Sequence, residues 1–233
     1  FQYIFMAFQK KEVPLKHKIT ILHSFLDLSK RNAERAEQFD QLLKLIEQNQ
    51  DIQDPELLAI FARRSLDKEA YEEALEYFVR ITHFGNTSYD VWNHLMRIEA
   101  YLGRWKQLES HAEQAAIEFP NQPMPYLFSS TAMRYSGQYE EAVNTLLNGM
   151  AFILPEDGET RIKFHVLLGE LYHELKEYSS SDAELEQAMN LRKTHAGALN
   201  TYARNLAERK ERLNQALEMA ELAVKISPEN PEY

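Results

Sequence analysis

Tyr101-Leu-Gly-Arg-Trp105-Lys-Gln-Leu108 and Tyr135-Ser-Gly-Gln-Tyr139-Glu-Glu-Ala142 are two copies of one pattern, 34 residues apart. Asp67-Lys-Glu-Ala-Tyr71-Glu-Glu-Ala74 is a third copy, another 34 residues upstream. An aromatic residue and a small or aliphatic residue three positions on recur at constant spacing, with a glycine two positions before the aromatic in two of the copies. Such a period marks a supersecondary unit stacked on copies of itself. Gly103 and Gly137 sit where a first helix must end and the chain must turn. Around each anchor, apolar residues at i, i+3 and i+4 give every segment one buried helical stripe.

Working outward, five units follow. Residues 55–88 carry Leu58, Phe61 and Ala62, then Ala74, Phe78 and Ile81. Residues 89–122 carry Trp92, Leu95 and Met96, then Leu108, Ala112 and Ala115, closed by Pro120. Residues 123–156 carry Tyr126, Ser129 and Ser130, then Ala142, Leu146 and Gly149. After a longer connector through Pro155 and Gly158, residues 162–195 carry Leu168, Gly169 and Tyr172, then Tyr178, Leu185 and Ala188. Residues 196–230 carry Leu199, Tyr202, Ala203 and Leu206, then Ala216, Ala220 and Ala223, stopped by Pro228. Facing small residues (Ala62 with Ala74, Ser130 with Ala142, Ala203 with Ala216) let two helix backbones approach closely. Met96 facing Leu108 breaks that rule, which predicts a splayed or repacked hairpin. Residues 1–54 keep the helical period less regularly, with helices expected over 1–9, Leu15–Leu28 and 32–48, the last capped by Asn32. They read as a degenerate hairpin continuing the array, with a separate cap as the alternative.

These residues resemble the tetratricopeptide repeat (TPR) family, whose Trp-Leu-Gly-Tyr-Ala-Phe-Ala-Pro pattern is matched piecewise over 55–230, with no unit complete. The resemblance implies an all-α fold, a right-handed α-solenoid of antiparallel helix hairpins. The divergence of the units is similar to that of multi-repeat bacterial members. It also implies that first helices line a concave groove. The implied groove residues are Arg63, Asn93, Arg97, Tyr101, Arg134, Tyr135, Asn200 and Arg204, with Lys163, Glu170, His173 and Glu174 beside them. Arginine grips carboxylates through two parallel bonds and asparagine can hold a peptide backbone. The groove is thus expected to be locally basic and amide-lined, similar in kind to carboxylate-clamp TPR domains without matching their full residue set.

Composition narrows the function classes. The 233 residues are 44% hydrophobic and 27% charged, the balance of a folded chain. A formal net charge of −10 opposes sequence-independent nucleic-acid binding, which depends on neutralising phosphates. The chain has no cysteine, which removes disulfides, zinc–thiolate sites and cysteine nucleophiles together. No run is apolar for the ~18 residues that a membrane-spanning helix needs. The apolar Phe1 to Phe8 read as the tail of a helix, and Ser227 to Tyr233 as a connector, so the sequence is expected to be an internal piece of a longer protein.

No catalytic signature is present: no HExxH, phosphate-binding glycine loop or Gly-x-Ser-x-Gly elbow. Glu170 and His173, with Glu174 and His165 nearby, share a helix face and could touch a metal. A solvated face is the preferred reading, since no second ligand pair accompanies them, and no cofactor is expected. Glu72-Glu73 and Glu140-Glu141 fall just after the turn, where acids favour the positive end of a helix. Tyr71, Trp105, Tyr139 and Tyr178 are read as hairpin packing rather than a base-stacking ladder. The function read from the chain is a non-enzymatic scaffold that holds a protein or peptide, with carboxylate groups among the features it would grip. The alternatives are an assembly module that self-associates through Phe1, Tyr3, Ile4 and Phe5 and the last hairpin, or an accessory domain of an enzyme.

Overall fold

The computed structural model describes residues 1–49 and 52–230, and among them every regular element is an α-helix. They form two compact units, Phe1–Leu102 and Gly103 onward. The division falls inside the span 89–122 that the repeat spacing treats as one unit, so Met96 and Leu108, both fully buried, belong to different units.

Unit 1 contains α1 (Gln2–Gln9), α2 (Leu15–Ser29), α3 (Ala33–Asn49), α4 (Pro55–Asp67), α5 (Tyr71–Thr82) and α6 (Tyr89–Tyr101). Helices α2 and α3 pair as a hairpin, as do α4 and α5; α1 lies on α3, α2 on α4 and α5 on α6. The first three helices lie where the apolar period puts them, and Asn32 Oδ1 accepts the Arg35 N–H at 3.1 Å as a side-chain cap. Leu22, Phe39, Leu42 and Ile46 are fully buried in the first part of this unit, and Leu57, Leu58, Phe61, Ala62, Ala74 and Phe78 are buried in the next.

Two polar contacts bind this packing. The buried Lys18 ammonium donates to the carbonyls of Phe8 and Lys10, both at 3.0 Å, where α1 ends. Those orphan carbonyls carry the negative end of the helix dipole. Burial lowers the Lys18 pKa, and the Glu12 carboxylate works against that fall. Between α3 and α4, Arg64 grips Asp40 through two bonds of 2.7 and 3.0 Å, with Lys68 at 3.0 Å from the same carboxylate. Burial alone would push the Asp40 carboxyl up, but hydrogen bonds from Arg64 and Lys68 hold it below its ordinary value.

Unit 2 contains α7 (Trp105–Glu118), α8 (Pro123–Tyr135), α9 (Tyr139–Met150), α10 (Gly158–Glu174), α11 (Tyr178–Leu191), α12 (Ala196–Arg209) and α13 (Leu213–Ile226). The hairpins are α8–α9, α10–α11 and α12–α13; α7 lies on α8, α9 on α10, and α12 on both α10 and α11. Helix α10 starts at Gly158, where strict 34-residue spacing puts it and a turn before the Ile162 start expected after a longer connector. Pro155 interrupts the chain, and Asp157 then caps a new helix by accepting the Thr160 N–H at 3.0 Å. Ile162 is therefore inside α10 rather than at its start.

One turn closes these hairpins. Glu69, Gly103, Gly137 and Lys176 each lie two residues before an anchor aromatic, and each is left-handed, with φ of 58°, 66°, 77° and 62°. At three of them the next amide reaches back to the helix it has left: Ala70 to Ser65 (2.9 Å), Gln138 to Met133 (2.9 Å) and Glu177 to Tyr172 (2.8 Å). This is a Schellman closure, which satisfies carbonyls stranded at a helix end. Lys210 repeats it between α12 and α13, with φ of 58° and a 2.9 Å bond from Glu211 to Leu206. Glycine adopts this backbone freely, whereas a residue with a Cβ gives up roughly 1–2 kcal/mol.

Close approach is the second device. A Cβ on Gly149 would lie 2.4 Å from Tyr126 Cβ, and one on Gly169 would lie 2.6 Å from Leu185 Cγ. Beside Gly169, the buried Ser181 hydroxyl donates to the Gly169 carbonyl at 2.7 Å, and Asn205 Nδ2 donates to Ser181 at 3.3 Å. A charged clasp holds α11 to the α12–α13 turn. Arg209, with only 4% of its side chain exposed, donates to Asp182 at 2.6 Å, and Arg212 bonds the other Asp182 oxygen. The Arg209 guanidinium lies 5.0 Å from the Tyr178 ring and that of Arg212 lies 5.4 Å from the Tyr202 ring.

Glu69→Gly and Lys176→Gly should each raise stability by about 0.5 kcal/mol, the relief of left-handed strain less the entropy that glycine adds to the unfolded chain. Urea unfolding curves check this, and a loss on either substitution would contradict the turn geometry. Gly149→Ala should cost about 1–3 kcal/mol in the same assay, because a packed backbone must move. Gly158→Ala, with nothing within 4 Å of the added carbon, should cost nothing.

Candidate functional site

First helices supply the residues that face open clefts in both units. In unit 2, α8, α10 and α12 enclose a cleft of about 570 Å³ lined by Arg134, Tyr135, Lys163, Glu170, Asn200 and Arg204. Four of the expected groove residues (Arg134, Tyr135, Asn200 and Arg204) thus share one site. The cleft is not simply basic. Glu170 stands between the two arginines, accepting from Arg204 at 2.7 Å and lying 3.7 Å from Arg134, which is also 3.9 Å from Glu174. A carboxylate from within the chain therefore engages the groups expected to grip a partner. Arg134 keeps one unmet donor, since its Nε is buried without a hydrogen-bond partner among the described residues.

Tyr135 is held by stacking. Its ring lies 3.7 Å from that of Trp105, nearly parallel at 6°, yet 55% of the residue is exposed. The Arg134 guanidinium sits 5.5 Å from the Tyr135 ring. Such an aromatic is rigid and accessible, so little side-chain freedom remains to be lost when something packs on it.

The helix face with metal-ligand spacing is dispersed. His165 Nδ1 lies 2.6 Å from Glu184 on α11, His173 Nε2 lies 2.9 Å from Glu208 on α12, and Glu170 is taken by arginine. Among the described residues, no three His, Asp or Glu side chains gather as metal ligands would. The acid pairs Glu72-Glu73 and Glu140-Glu141 occupy the first turns of α5 and α9. Tyr139 packs against the core shared by α8, α9 and α10, and the Tyr178 ring lies 5.4 Å from His173.

Unit 1 holds the other four expected residues, Arg63, Asn93, Arg97 and Tyr101. A cleft of about 360 Å³ between α2, α4 and α6 is lined by His23, Arg63, Phe78, Asp90 and His94. A second, of about 410 Å³, is lined by Leu66, Tyr71, His94, Arg97 and Tyr101. His94 borders both, its ring stacked on Phe78 at 5.3 Å and 14°. Tyr101 is 71% exposed and tilted against Tyr71 at 4.6 Å, the counterpart of the Tyr135–Trp105 contact. Burial pushes the His94 pKa down; Arg63 and Arg97 push it further, and Asp90 partly opposes them. Neither Arg63 nor Arg97 has an ion pair among the described residues. Asn93 Oδ1 is buried without a hydrogen-bond partner among them.

Sequence reading missed His94, which no motif flags, and the role of Glu170 as counter-ion to arginine. A signal for the second exists. Glu170 and Arg204 are 34 residues apart, so opposite charges occupy the same position of successive repeats.

No family model matches the chain, and no curated protein matches it. Solved structures do. One is a chain of the APC/C hetero-tetramer Cut9-Hcn1, with a TM-score of 0.65 at 15% identity over 92% of this chain and 40% of that one. This chain thus spans well under half the length of that neighbour. TTC0263, a thermophilic TPR protein of Thermus thermophilus, gives 0.60 at 20% identity, covering 76% of this chain and 93% of its own. YrrB, described as a TPR protein with an unusual peptide-binding site, gives 0.52 at 18% identity, covering 81% and 93%. At these identities the likeness concerns the fold, and with the hairpins and turns described above it gives one conclusion: the chain has the TPR fold, an α-solenoid of antiparallel helix hairpins.

Proposed function

We propose that the chain is a non-enzymatic interaction scaffold whose first-helix faces hold an extended segment of a partner protein. The observation that carries this reading is the unit-2 cleft, where a stacked and exposed Tyr135, the amide of Asn200 and the arginines Arg134 and Arg204 converge. Rigid aromatic walls with a few polar anchors are what peptide recognition uses. Neighbours of the same fold include one named for its peptide-binding site, which is consistent with this use. No helix among the described residues is long and apolar enough to cross a membrane.

Selection from a displayed random-peptide library tests the reading. Peptides enriched on the native chain should lose at least about tenfold in affinity on the Arg97→Glu, Arg134→Glu double variant, the loss of one charged anchor being about 1.4 kcal/mol or more. Unchanged affinity for every enriched peptide would remove these faces as the binding site.

A second reading, self-association, is favoured by α13. Leu213, Leu217, Leu222, Val224 and Ile226 are all exposed there, and a cleft of about 340 Å³ lined by Ala203, Ala207, Ala216, Leu217 and Ala220 lies between α12 and α13. Leu213 and Leu217 border this cleft with Val224 on the same flank of the helix, and exposed apolar surface drives association. Sedimentation should show a dimer that Leu217→Glu converts to monomer; a monomer at all concentrations would end this reading.

A further inference from the structure

The two units treat their arginines differently. In unit 2, Arg134 and Arg204 share Glu170, and Glu174 stands near Arg134. In unit 1, Arg63 and Arg97 lie on either side of His94, each lining one of the two clefts that this ring borders. Arg97 follows His94 by three positions on α6 and so projects from the same face. Arg63 reaches that face from α4. In a chain of net charge −10, these are cations left without an acidic partner among the described residues.

We infer that Arg63, His94 and Arg97 form the subsite for the acidic part of the partner, a stretch of carboxylate side chains, and that His94 takes up a proton as that stretch binds. The inference rests on the scaffold reading above and says which portion of the surface receives negative charge. Charge complementarity is the argument for an acidic peptide. Two guanidinium groups with free bidentate faces flank an imidazole that becomes a third cation when a carboxylate stands beside it. Phe78 backs the imidazole, and Tyr101 walls the neighbouring cleft.

The groups facing His94 set the sign. From α6 come Arg97 and Asp90, and from α4 comes Arg63. His23 of α2 lines the same cleft, and its Nε2 lies 2.9 Å from the Glu56 carboxylate of α4. From α5 come Phe78 and Tyr71, neither charged at neutral pH. In the free protein, burial and the two arginines disfavour the imidazolium, so His94 titrates below its ordinary value. A bound carboxylate cancels the arginines' repulsion and raises the titration. Binding must then strengthen as pH falls toward the His94 midpoint of the complex, and level off below that of the free protein.

The test follows the His94 imidazole by NMR across pH, assigned with His94→Gln, in the presence of capped oligoglutamate, capped oligoglutamine or inorganic phosphate. Oligoglutamate should raise the His94 midpoint by about one pH unit, and its binding should tighten by about tenfold in all from pH well above the complex's midpoint to pH below the free protein's. Oligoglutamine should do neither. Arg63→Gln with Arg97→Gln should abolish both effects, and His94→Gln should keep binding but lose its pH dependence; both replace exposed or half-buried groups, and unfolding curves confirm that the fold is kept. The inference is overturned if oligoglutamate leaves the midpoint unmoved, or if phosphate moves it as far, which would mean an adventitious ion only. Either failure leaves the scaffold reading intact so long as library-selected peptides still depend on Arg97 and Arg134; loss of that dependence would sink the scaffold reading instead.

Discussion

A single backbone conformation, one left-handed residue between two helices, governs how this chain folds. It brings the chain back on itself within three or four residues and closes the stranded carbonyls of the first helix. It also places an aromatic ring at the start of the second. Everything downstream follows from that placement. The ring at Tyr71 or Trp105 lands beside the last turn of a first helix, and there it packs on Tyr101 or Tyr135. The same residue that builds the hairpin thus holds an exposed tyrosine still on the face that is open to partners.

Charge on that face is organised by repetition. Because α8, α10 and α12 of unit 2 lie side by side, residues at equal repeat positions become neighbours there. Glu170 meets Arg204 in this way, and a turn further on His173 meets Glu208, one position past its own equivalent. The pairs are part-exposed and worth little to stability individually. Their effect is on recognition. In unit 2 an incoming carboxylate has to compete with Glu170, whereas in unit 1 neither Arg63 nor Arg97 is ion-paired among the described residues, and Asp90 is the acid that lines the Arg63 cleft.

The helical hairpins were legible because their determinants are local. Gly103 and Gly137 announce the turn, and small residues such as Ala62, Ala74, Ser130 and Ala142, all fully buried, announce close helix contact. The same turn at Glu69 and Lys176 was hidden, because the fold there imposes a left-handed backbone on residues that do not advertise it. The expected start of α10, at Ile162, is too late for a different reason. Pro155 to Gly158 read as a long connector, but the Asp157 cap starts the helix on the repeat spacing and the extra residues lengthen α10 instead. Which first-helix residues share a cleft was legible for Arg134, Tyr135, Asn200 and Arg204. Their ionic state was not, because the spacing of Glu170 on its own helix suggests a metal ligand, while its actual partner lies on the helix one repeat on. His94 and Lys18 depend on contacts between helices, and no periodicity encodes those.

A stack of repeats ordinarily unfolds like a row of separable modules, each losing only its nearest neighbours. The Asp182 clasp departs from that scheme. One carboxylate on α11 holds both Arg209, at the end of α12, and Arg212, just before α13. Arg209 is enclosed between these elements, with Glu211 3.7 Å away as a second acid. To peel away from α11, the final hairpin has to break both charged bonds to Asp182. Opening of the last three helices is thereby coupled more tightly than packing between neighbouring repeats alone would couple it.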